Sequence, residues 1–225
     1  LGDVYKRQLE VCVEFAQPVA FITKNALIAR DTDLLAELAR FNAASASISV
    51  TSLDNSLAAK LEPRASAPAA RLNAIRRLAS AGVPVSVMVA PIIPGINDHE
   101  IPRILQAARD AGATGAGYVM LRLPYQNKDL FLDWLRTHFP DRAAKVESHV
   151  RSLHGGNLYD HAWHTRQRGD GPLADHIEQS FNLFKRRHGF GDRPHISSKQ
   201  PRNSPREEFE RRKSLRLSRG QLNLF

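Results

Sequence analysis

Histidine and cysteine side chains are common ligands of transition metals in proteins. The chain has 225 residues, with nine histidines and one cysteine. His161 and His164 are three residues apart and could share a helix face near Asp160, but the H-E-x-x-H pattern of zinc hydrolases is absent. Cys12 lies in the apolar segment LEVCVEFA, a pattern typical of a buried, unreactive thiol. We therefore predict no metal site from these residues.

Four short apolar runs each lead into a loop rich in polar residues, proline or glycine. The loops cover residues 23–25, 51–64, 90–98 and 122–129, and the third belongs to the segment VMVAPIIPGINDHE. If the preceding strands are parallel, their carboxyl ends meet at one edge, where α/β proteins bind ligands. For Pro94, Gly95 and Asp98 a purely structural role as turn and helix-capping residues remains an open alternative.

The spacing of these runs predicts the elements that position the loops. Apolar and β-branched runs at 18–23, 46–51, 84–89 and 115–121 predict strands that start about 28–38 residues apart, the size of a βα unit. Amphipathic patterns between them predict helices, with Gly82 and Gly112 as their terminating residues. We expect an α/β fold with a parallel sheet, either barrel-like or doubly wound. No G-x-G-x-x-G follows a strand, which weakens the dinucleotide-binding version.

The second half of the chain has a different pattern. Amphipathic segments at 130–139, 143–153 and 175–189 predict helices. After Gly191, low hydrophobicity and high charge predict a disordered tail. The net charge of +9 is concentrated here, because residues 185–225 contain twelve Lys or Arg and only four acidic residues. A polyanionic partner such as nucleic acid is therefore expected at the tail.

Composition also limits the class of protein. No apolar run approaches the roughly 20 residues needed to cross a bilayer, so we expect no membrane association. A single cysteine excludes a disulfide framework within these residues. The expectation is a cytoplasmic protein.

Five segments together resemble the radical S-adenosylmethionine superfamily, and most closely its branch similar to spore photoproduct lyase, a DNA-repair enzyme. The segments are FITKN, SISVTSLD, LEPRA, VMVAPIIPGINDHE and AGYVMLRLP, in the order found in that family. The resemblance implies a partial (β/α) barrel and S-adenosylmethionine as a cofactor. It also implies a 4Fe–4S cluster, held by three cysteines in a C-x-x-x-C-x-x-C loop, that cleaves S-adenosylmethionine reductively.

The resemblance implies a set of cofactor-binding residues. Lys24 and Arg64 would bind the methionine carboxylate, and Ser49 and Thr51 would contact the ribose and methionine moieties. Exposed rim charges are the alternative for the first pair, and ordinary strand composition is the alternative for the second.

The adenine side of the implied site comes from the next two strands. Ile93 would form an apolar wall, Gly95 would hold a rigid turn, and Asp98 would cap the next helix or bond the ribose. The strand of Tyr118, Val119, Met120 and Leu121 would read the adenine edge through its backbone.

The chain departs from the family pattern in two respects: the cysteine loop is absent, and so are the first two βα units. We therefore expect a C-terminal fragment that is inactive alone. The expected organisation is a foreign or unstructured junction at 1–8, a partial barrel at 9–124, a helical region at 125–190 and a disordered basic tail at 191–225.

The last five residues, QLNLF, suggest a partner. Gln221, Leu222, Leu224 and Phe225 resemble the pentapeptide with which bacterial replication and repair proteins dock on the DNA sliding clamp. The leading functional hypothesis is a radical S-adenosylmethionine enzyme, with a nucleic-acid substrate expected by analogy. The alternative is a non-enzymatic nucleic-acid or protein-binding module with a clamp-binding tail.

Overall fold

Strands and helices alternate through the first half of the chain, and helices alone follow. The computed structural model describes residues 2–159, 167–191 and 205–218. The strands are β1 (Val19–Thr23), β2 (Ala44–Ser49), β3 (Val85–Ile92) and β4 (Gly115–Met120). The helices are α1 (Gly2–Phe15), α2 (Thr32–Ala39), α3 (Asn55–Leu61), α4 (Pro68–Ser80), α5 (Ile101–Asp110), α6 (Asn127–His138), α7 (Ala143–Ser152), α8 (Pro172–Arg187) and α9 (Pro205–Ser218). Short 3-10 turns occur at Ala26–Asp31, Asp98–Glu100 and Pro140–Arg142.

The four strands form one parallel sheet in the order β1-β2-β3-β4. Ala46 lies opposite Val85, and Val89 lies opposite Tyr118. Parallel neighbours need long crossover connections, which the intervening helices supply. The prediction of an α/β fold with a partial parallel barrel and a helical C-terminal region is confirmed.

The two faces of the sheet differ because side chains alternate along each strand. One face is apolar and packs against the helices, with buried Ile48 and Val87 among its residues. The alternate positions of β2 carry Ser45, Ser47 and Ser49. On β2, one face therefore belongs to the core and the other carries serine side chains.

Glycines end α4 and α5 as the sequence predicts. Gly82 and Gly112 both have positive φ, 81° and 98°, which favours glycine over any residue with a side chain. They differ in their surroundings, because a Cβ on Gly82 would have no neighbour within 4 Å. A Cβ on Gly112 would lie 2.8 Å from the Cβ of Ala79. Gly112 thus serves both helix termination and close packing of α5 on α4.

We expect Gly112→Ala to destabilise the protein by at least about 1 kcal/mol more than Gly82→Ala. The strain of positive φ costs about 1–2 kcal/mol at either position, whereas overpacking adds about 1–3 kcal/mol only at Gly112. Urea unfolding of both variants measures the difference. The double variant Gly112→Ala, Ala79→Gly lacks the close contact with the Cβ of Ala79. Its stability relative to Ala79→Gly alone should therefore show only the cost of positive φ. Equal destabilisation by the two single variants would contradict this packing.

A second core joins the helical region to the sheet. Buried Phe131 and Leu135 of α6 and Val146 of α7 pack with Ile93 and Leu121, which follow β3 and β4. These helices therefore lie beside the carboxyl ends of β3 and β4, where the predicted ligand loops begin.

Residues 205–218, predicted to be part of a disordered tail, form the helix α9 instead. Buried Glu208 accepts hydrogen bonds from Arg211 and Arg212, and these bonds, Arg211 first, lower its pKa to about 2. The ring of Phe209 lies 6.2 Å from that of Phe15 on α1. The prediction of disorder is wrong for this segment, because composition does not reveal ion pairing or docking on another helix.

The start of the chain is also helical. α1 includes most of the segment 1–8 that was expected to be a foreign or unstructured junction, and buried Leu9 of α1 belongs to the main core. A foreign origin of this segment stays a prediction. Within the described residues, no helix is long and apolar enough to span a membrane.

Candidate functional site

A charged cluster lies at the carboxyl ends of β1, β2 and β3. The Nζ of Lys24 makes a salt bridge with Oε1 of Glu62 and donates to the carbonyl oxygen of Ala90 at 3.1 Å. The hydroxyl of Thr51 lies 2.9 Å from both Glu62 Oε1 and Ala90 O, and its single proton serves one of them. Arg71 Nη2 donates to Glu62 Oε2 at 2.6 Å. Both oxygens of one carboxylate are therefore used.

The fold explains how these residues meet. Lys24 directly follows β1, and Thr51 lies two residues beyond β2. Glu62 is the residue after α3, and Arg71 lies on α4. Parallel strands bring the ends of β1 and β2 to the same edge, and the two helices return the chain to that edge.

Arg71 fixes the cluster to the backbone. Its side chain is only 2% exposed, and Nε and Nη1 donate to the carbonyl oxygens of Ser66 and Ser49 at 2.7 and 3.0 Å. A buried guanidinium needs such acceptors because an unpaired buried charge costs several kcal/mol. Arg71 is therefore held in place. Its positive charge acts on the site, but its Nε, Nη1 and Nη2 already donate to acceptors of the protein.

Glu62 stays ionised in this environment. Burial would raise its pKa, but hydrogen bonds from Lys24, Arg71 and Thr51 outweigh burial, so the pKa lies below its ordinary value. One carboxylate and two cations leave the cluster with a net charge of +1. The Lys24 side chain is 36% exposed and is the accessible cation. A ligand with both a carboxylate and an ammonium group would match Lys24 and Glu62 together.

The loop after β3 is tied to the loop after β2 by a buried amide. Asn97 is 1% exposed, and its Nδ2 donates to the carbonyl oxygens of Thr51 and Pro91 at 2.7 and 3.0 Å. Its Oδ1 accepts from the backbone N–H of Ile93 at 2.7 Å. Asn97 thus fixes Thr51 relative to Ile93.

A buried carboxylate supports the same loop from the other side. Glu100 is 3% exposed; its Oε1 accepts from the hydroxyl of Ser52 at 2.6 Å and its Oε2 from the N–H of Leu53 at 2.8 Å. The loop after β2 is therefore held by hydrogen bonds to Asn97 and Glu100.

The structure brings together some of the predicted site residues. Lys24 and Thr51 meet in the cluster, and Ser49 is buried with its carbonyl oxygen bonded to Arg71. Arg64 is exposed and makes no contact with the cluster among the described residues. The arginine that reaches this place is Arg71. Arg64 and Arg71 lie in the same polar stretch of the sequence. Only the helical register of α4 shows which of the two arginines reaches the cluster.

The residues predicted on the adenine side lie around the β3 loop. Ile93 is fully buried, and the N–H of Gly95 donates to Oδ1 of Asp98 at 2.9 Å. A Cβ on Gly95 would lie 3.4 Å from Val146 of α7. Asp98 therefore closes the turn, whereas the neighbouring Asn97, which sequence reasoning missed, joins the two loops.

Two backbone N–H groups at the end of β4 are already hydrogen-bonded within the protein. The N–H groups of Met120 and Leu121 donate to the carbonyl oxygens of Gln167 and Ile92, both at 2.9 Å. The side chain of Tyr118 packs on Phe181 of α8, with ring centroids 4.7 Å apart, and burial raises its pKa to about 12. Val119 lies between Tyr118 and Met120 on β4. A role of this strand in reading adenine stays a prediction, and it would use carbonyl groups rather than the N–H groups of Met120 and Leu121.

The first half of the chain matches a known protein family. Residues 3–108 match the Radical SAM superfamily. The Lys24–Glu62–Arg71 cluster and the loops held by Asn97 and Glu100 lie within those residues. The match is to the superfamily as a whole, and the narrower spore photoproduct lyase branch is not distinguished.

Curated relatives extend the match to parts of longer proteins. The chain is 32% identical over 136 residues to uncharacterized proteins of Mycobacterium tuberculosis and Mycobacterium bovis, covering 60% of this chain and 40% of each relative. It is 38% identical over 72 residues to an uncharacterized protein of Acidianus two-tailed virus, covering 32% of this chain and 23% of the relative. The chain thus spans less than half the length of these relatives.

The residues present differ in their fit to the two groups that the Radical SAM superfamily implies. S-adenosylmethionine carries an amino-acid end that matches Lys24 and Glu62 in charge. A 4Fe–4S cluster needs thiolate ligands, but Cys12 is the one cysteine of the sequence, and it is half-buried against the core on α1. Burial raises the pKa of its thiol. These residues therefore do not fit a cluster.

Other predicted or prominent features lie away from this cluster. The described residues contain no group of three His, Cys, Asp or Glu that could hold a metal ion. His161, His164 and Asp160, and the pentapeptide 221–225, lie outside the described residues. A wide, apolar groove of about 1330 Å³ runs between α1 and β1, along the outer edge of the strand, with Ile22 74% exposed beside it. It carries none of the cluster residues.

Proposed function

We propose that this chain provides the S-adenosylmethionine-binding part of a radical SAM enzyme. The observation that carries the proposal is the net positive cluster of Lys24, Glu62 and Arg71 at the carboxyl ends of three parallel strands. Ligands of parallel α/β folds bind at this edge, and the match of residues 3–108 to the Radical SAM superfamily supports this choice of ligand.

Each residue of the cluster has a distinct part in binding. The ammonium of Lys24 binds the carboxylate of the methionine moiety, and Oε1 of Glu62 accepts from its α-amino group. Arg71 keeps Glu62 in position, and Asn97 keeps Thr51 beside it. Ile93 contributes an apolar wall for the adenine. Bound S-adenosylmethionine supplies the carbon radical with which this superfamily starts its reactions.

The residues of this chain do not account for the reductive step itself. Its electron comes from a 4Fe–4S cluster in this superfamily, and the thiolate ligands for that cluster are not present among residues 1–225. The proposed role of the chain is therefore to bind and orient the cofactor.

We expect Lys24→Gln to weaken S-adenosylmethionine binding about 10-fold or more. The substitution removes a charge-assisted hydrogen bond, worth about 1.5–3 kcal/mol. Isothermal titration of the 225-residue chain with S-adenosylmethionine measures the change. Lys145→Gln, at an exposed position on α7, is the matched control and should bind as the wild type does. Wild-type affinity in Lys24→Gln, or no binding by the wild-type chain, contradicts the proposal.

A nucleic-acid substrate, as in the spore photoproduct lyase branch, is a finer proposal. It is supported by the resemblance of the five segments and by the basic composition of residues 185–225. Fluorescence anisotropy with single- and double-stranded DNA tests it. Binding should weaken steeply as salt rises, because phosphate contacts release counterions. Affinity that is independent of salt contradicts it.

Docking on the DNA sliding clamp is a separate proposal about partners. The apolar side chains of Leu222, Leu224 and Phe225 would fill a pocket, each contributing about 1.5–3 kcal/mol, much of it offset by the ordering of the segment. A fluorescent peptide of residues 214–225 should bind the purified clamp with roughly micromolar affinity. A peptide with Leu222→Ala and Phe225→Ala should not. Equal binding by both peptides contradicts the proposal, and the alternative of a non-enzymatic binding module would then rest on the basic composition of residues 185–225 alone.

A further inference from the structure

Arg122 follows β4 and carries a buried donor that has no acceptor. Its side chain is half-buried, and Nε is fully enclosed without a hydrogen-bond partner. Nη2 makes one long contact, 3.4 Å, with the hydroxyl of Tyr159. No carboxylate lies within 4.0 Å of this guanidinium among the described residues. Arg122 is therefore a cation with unused hydrogen-bonding capacity.

The contrast with Arg71 shows why this arrangement needs an explanation. Arg71 is more deeply buried than Arg122, but its Nε, Nη1 and Nη2 each have an acceptor. A buried donor without an acceptor costs about 1–3 kcal/mol, and more when the group is charged. The cost at Arg122 is removed if a bound group supplies the missing acceptor.

A second unpartnered nitrogen adjoins the same short stretch. His154 is 4% exposed, and its Nε2 donates to the carbonyl oxygen of Leu121 at 3.3 Å. Its Nδ1 is buried and has no partner. Arg122 and His154 therefore each have a nitrogen atom without a partner. Both lie where β4 ends and its loop begins.

We propose that Arg122 and His154 form a binding site for an oxyanion, a phosphate or a carboxylate, at the carboxyl end of β4. The Nε and Nη2 atoms of a guanidinium form a planar edge that donates two parallel hydrogen bonds to two oxygens of one such group. With Nε2 donating to Leu121, Nδ1 of the neutral His154 imidazole is an acceptor, so it adds a third polar contact only to a protonated oxygen of the anion, such as the hydroxyl of hydrogen phosphate. An oxyanion supplies the acceptors that Nε lacks and balances the unpaired positive charge.

The position of this site suggests what it holds. Lys24 and Glu62 lie beyond β1 and α3 and serve the cofactor in the function proposed above, whereas Arg122 lies beyond the fourth strand of the same edge. The oxyanion therefore belongs to a substrate bound beside the cofactor. Oxyanion binding itself is independent of the proposed function, and only the assignment to a substrate rests on it.

The resonance of the Arg122 Nε–H group tests the site directly in the 225-residue chain. Protein labelled with 15N-arginine is titrated with inorganic phosphate, and separately with acetate, at constant ionic strength maintained with sodium chloride. The resonance is assigned by its loss in Arg122→Lys. We expect a saturable shift of this resonance with at least one anion. The anion that binds with the higher affinity identifies the substrate group as a phosphate or a carboxylate. No shift beyond that caused by chloride would overturn the proposal.

Variants test the contribution of each side chain. Arg122→Gln should weaken binding of the preferred anion by about 10-fold or more, and Arg122→Lys should retain only part of the affinity because a point charge replaces the fork. His154→Gln should weaken binding by a smaller factor. Arg76→Gln, at an exposed position on α4, should bind as the wild type does. Thermal unfolding of each variant confirms that it folds, and equal affinities in Arg122→Gln and Arg76→Gln would overturn the proposal.

These measurements separate the site from the proposed cofactor function. Titration with phosphate or acetate needs no S-adenosylmethionine, so an anion site can be present even if Lys24→Gln shows that the cofactor does not bind at β1. Conversely, cofactor binding with no anion-dependent shift at Arg122 would reject this inference alone.

Discussion

Replacing Glu62 with leucine is expected to lower the free energy of unfolding by about 3 kcal/mol. Glu62 is the carboxylate partner of Arg71, whose side chain is 2% exposed, and removal of one partner of a buried ion pair leaves an uncompensated buried charge. The loss lies at the lower end of the usual range, because Arg71 keeps its bonds to Ser49 and Ser66. Urea denaturation followed by circular dichroism measures the change.

Two further variants separate loss of the carboxylate from loss of packing. Glu37→Leu replaces an exposed glutamate on α2 and should change the stability by less than about 0.5 kcal/mol. The double variant Glu62→Leu, Arg71→Met removes both charges and should recover much of the lost stability, since apolar replacements of a whole buried pair are often neutral. If Glu62→Leu is no less stable than Glu37→Leu, the stability of the fold does not depend on pairing Arg71 with Glu62.

The same carboxylate gives the effect a defined pH dependence. Burial acts to raise the pKa of Glu62, and the bonds from Lys24 and Arg71 outweigh burial and lower it from 4.5. A carboxyl group with a lowered folded-state pKa stabilises the fold above its unfolded pKa, and this contribution is lost as the pH falls through the folded-state value. The stability difference between wild type and Glu62→Leu should therefore be constant above about pH 4.5 and shrink below it. A difference that grows under acid would contradict the ion-pair explanation.

The parallel sheet could be predicted from sequence because each strand has a strong local signal. Runs such as PVSVMV are apolar and β-branched, and Gly82 and Gly112 end the helices that follow strands. α9 could not be predicted in this way. Its sequence is poor in apolar residues, and it is stabilised by the pairing of Glu208 with Arg211 and Arg212 and by contact with α1, which is distant in sequence.

The candidate site was only partly predictable for a related reason. Lys24 directly follows β1 and Thr51 lies two residues beyond β2, so topology places both at the ligand-binding edge. Glu62 and Arg71 reach the same place from helices, and their direction depends on where α3 ends and how α4 is rotated. Arg64 is closer in sequence to Glu62 than Arg71 is, yet it is exposed. Arg71, which sequence reasoning did not single out, is the arginine bonded to Glu62, and a role of Arg64 in binding the methionine carboxylate stays a prediction.

We expect Asn97→Ala to lower the free energy of unfolding by about 2–4 kcal/mol and to weaken S-adenosylmethionine binding as well. The substitution leaves the Ile93 N–H and the carbonyl oxygens of Thr51 and Pro91 without their side-chain partner, and each unsatisfied buried group costs about 1–3 kcal/mol. The sum is reduced because the loops relax. Urea denaturation measures the stability, and isothermal titration measures the affinity.

Asn97→Asp distinguishes the amide from simple filling of space. Aspartate can still accept from Ile93, but it cannot donate to Thr51 or Pro91, and it places a carboxylate at a site that is 1% exposed. It should therefore destabilise the protein at least as much as alanine does at neutral pH. Asn73→Ala, at an exposed position on α4, is the control and should be nearly neutral. Wild-type stability in Asn97→Asp would mean that the two carbonyl groups need no donor, and that Asn97 does not hold the loop after β2 to the loop after β3.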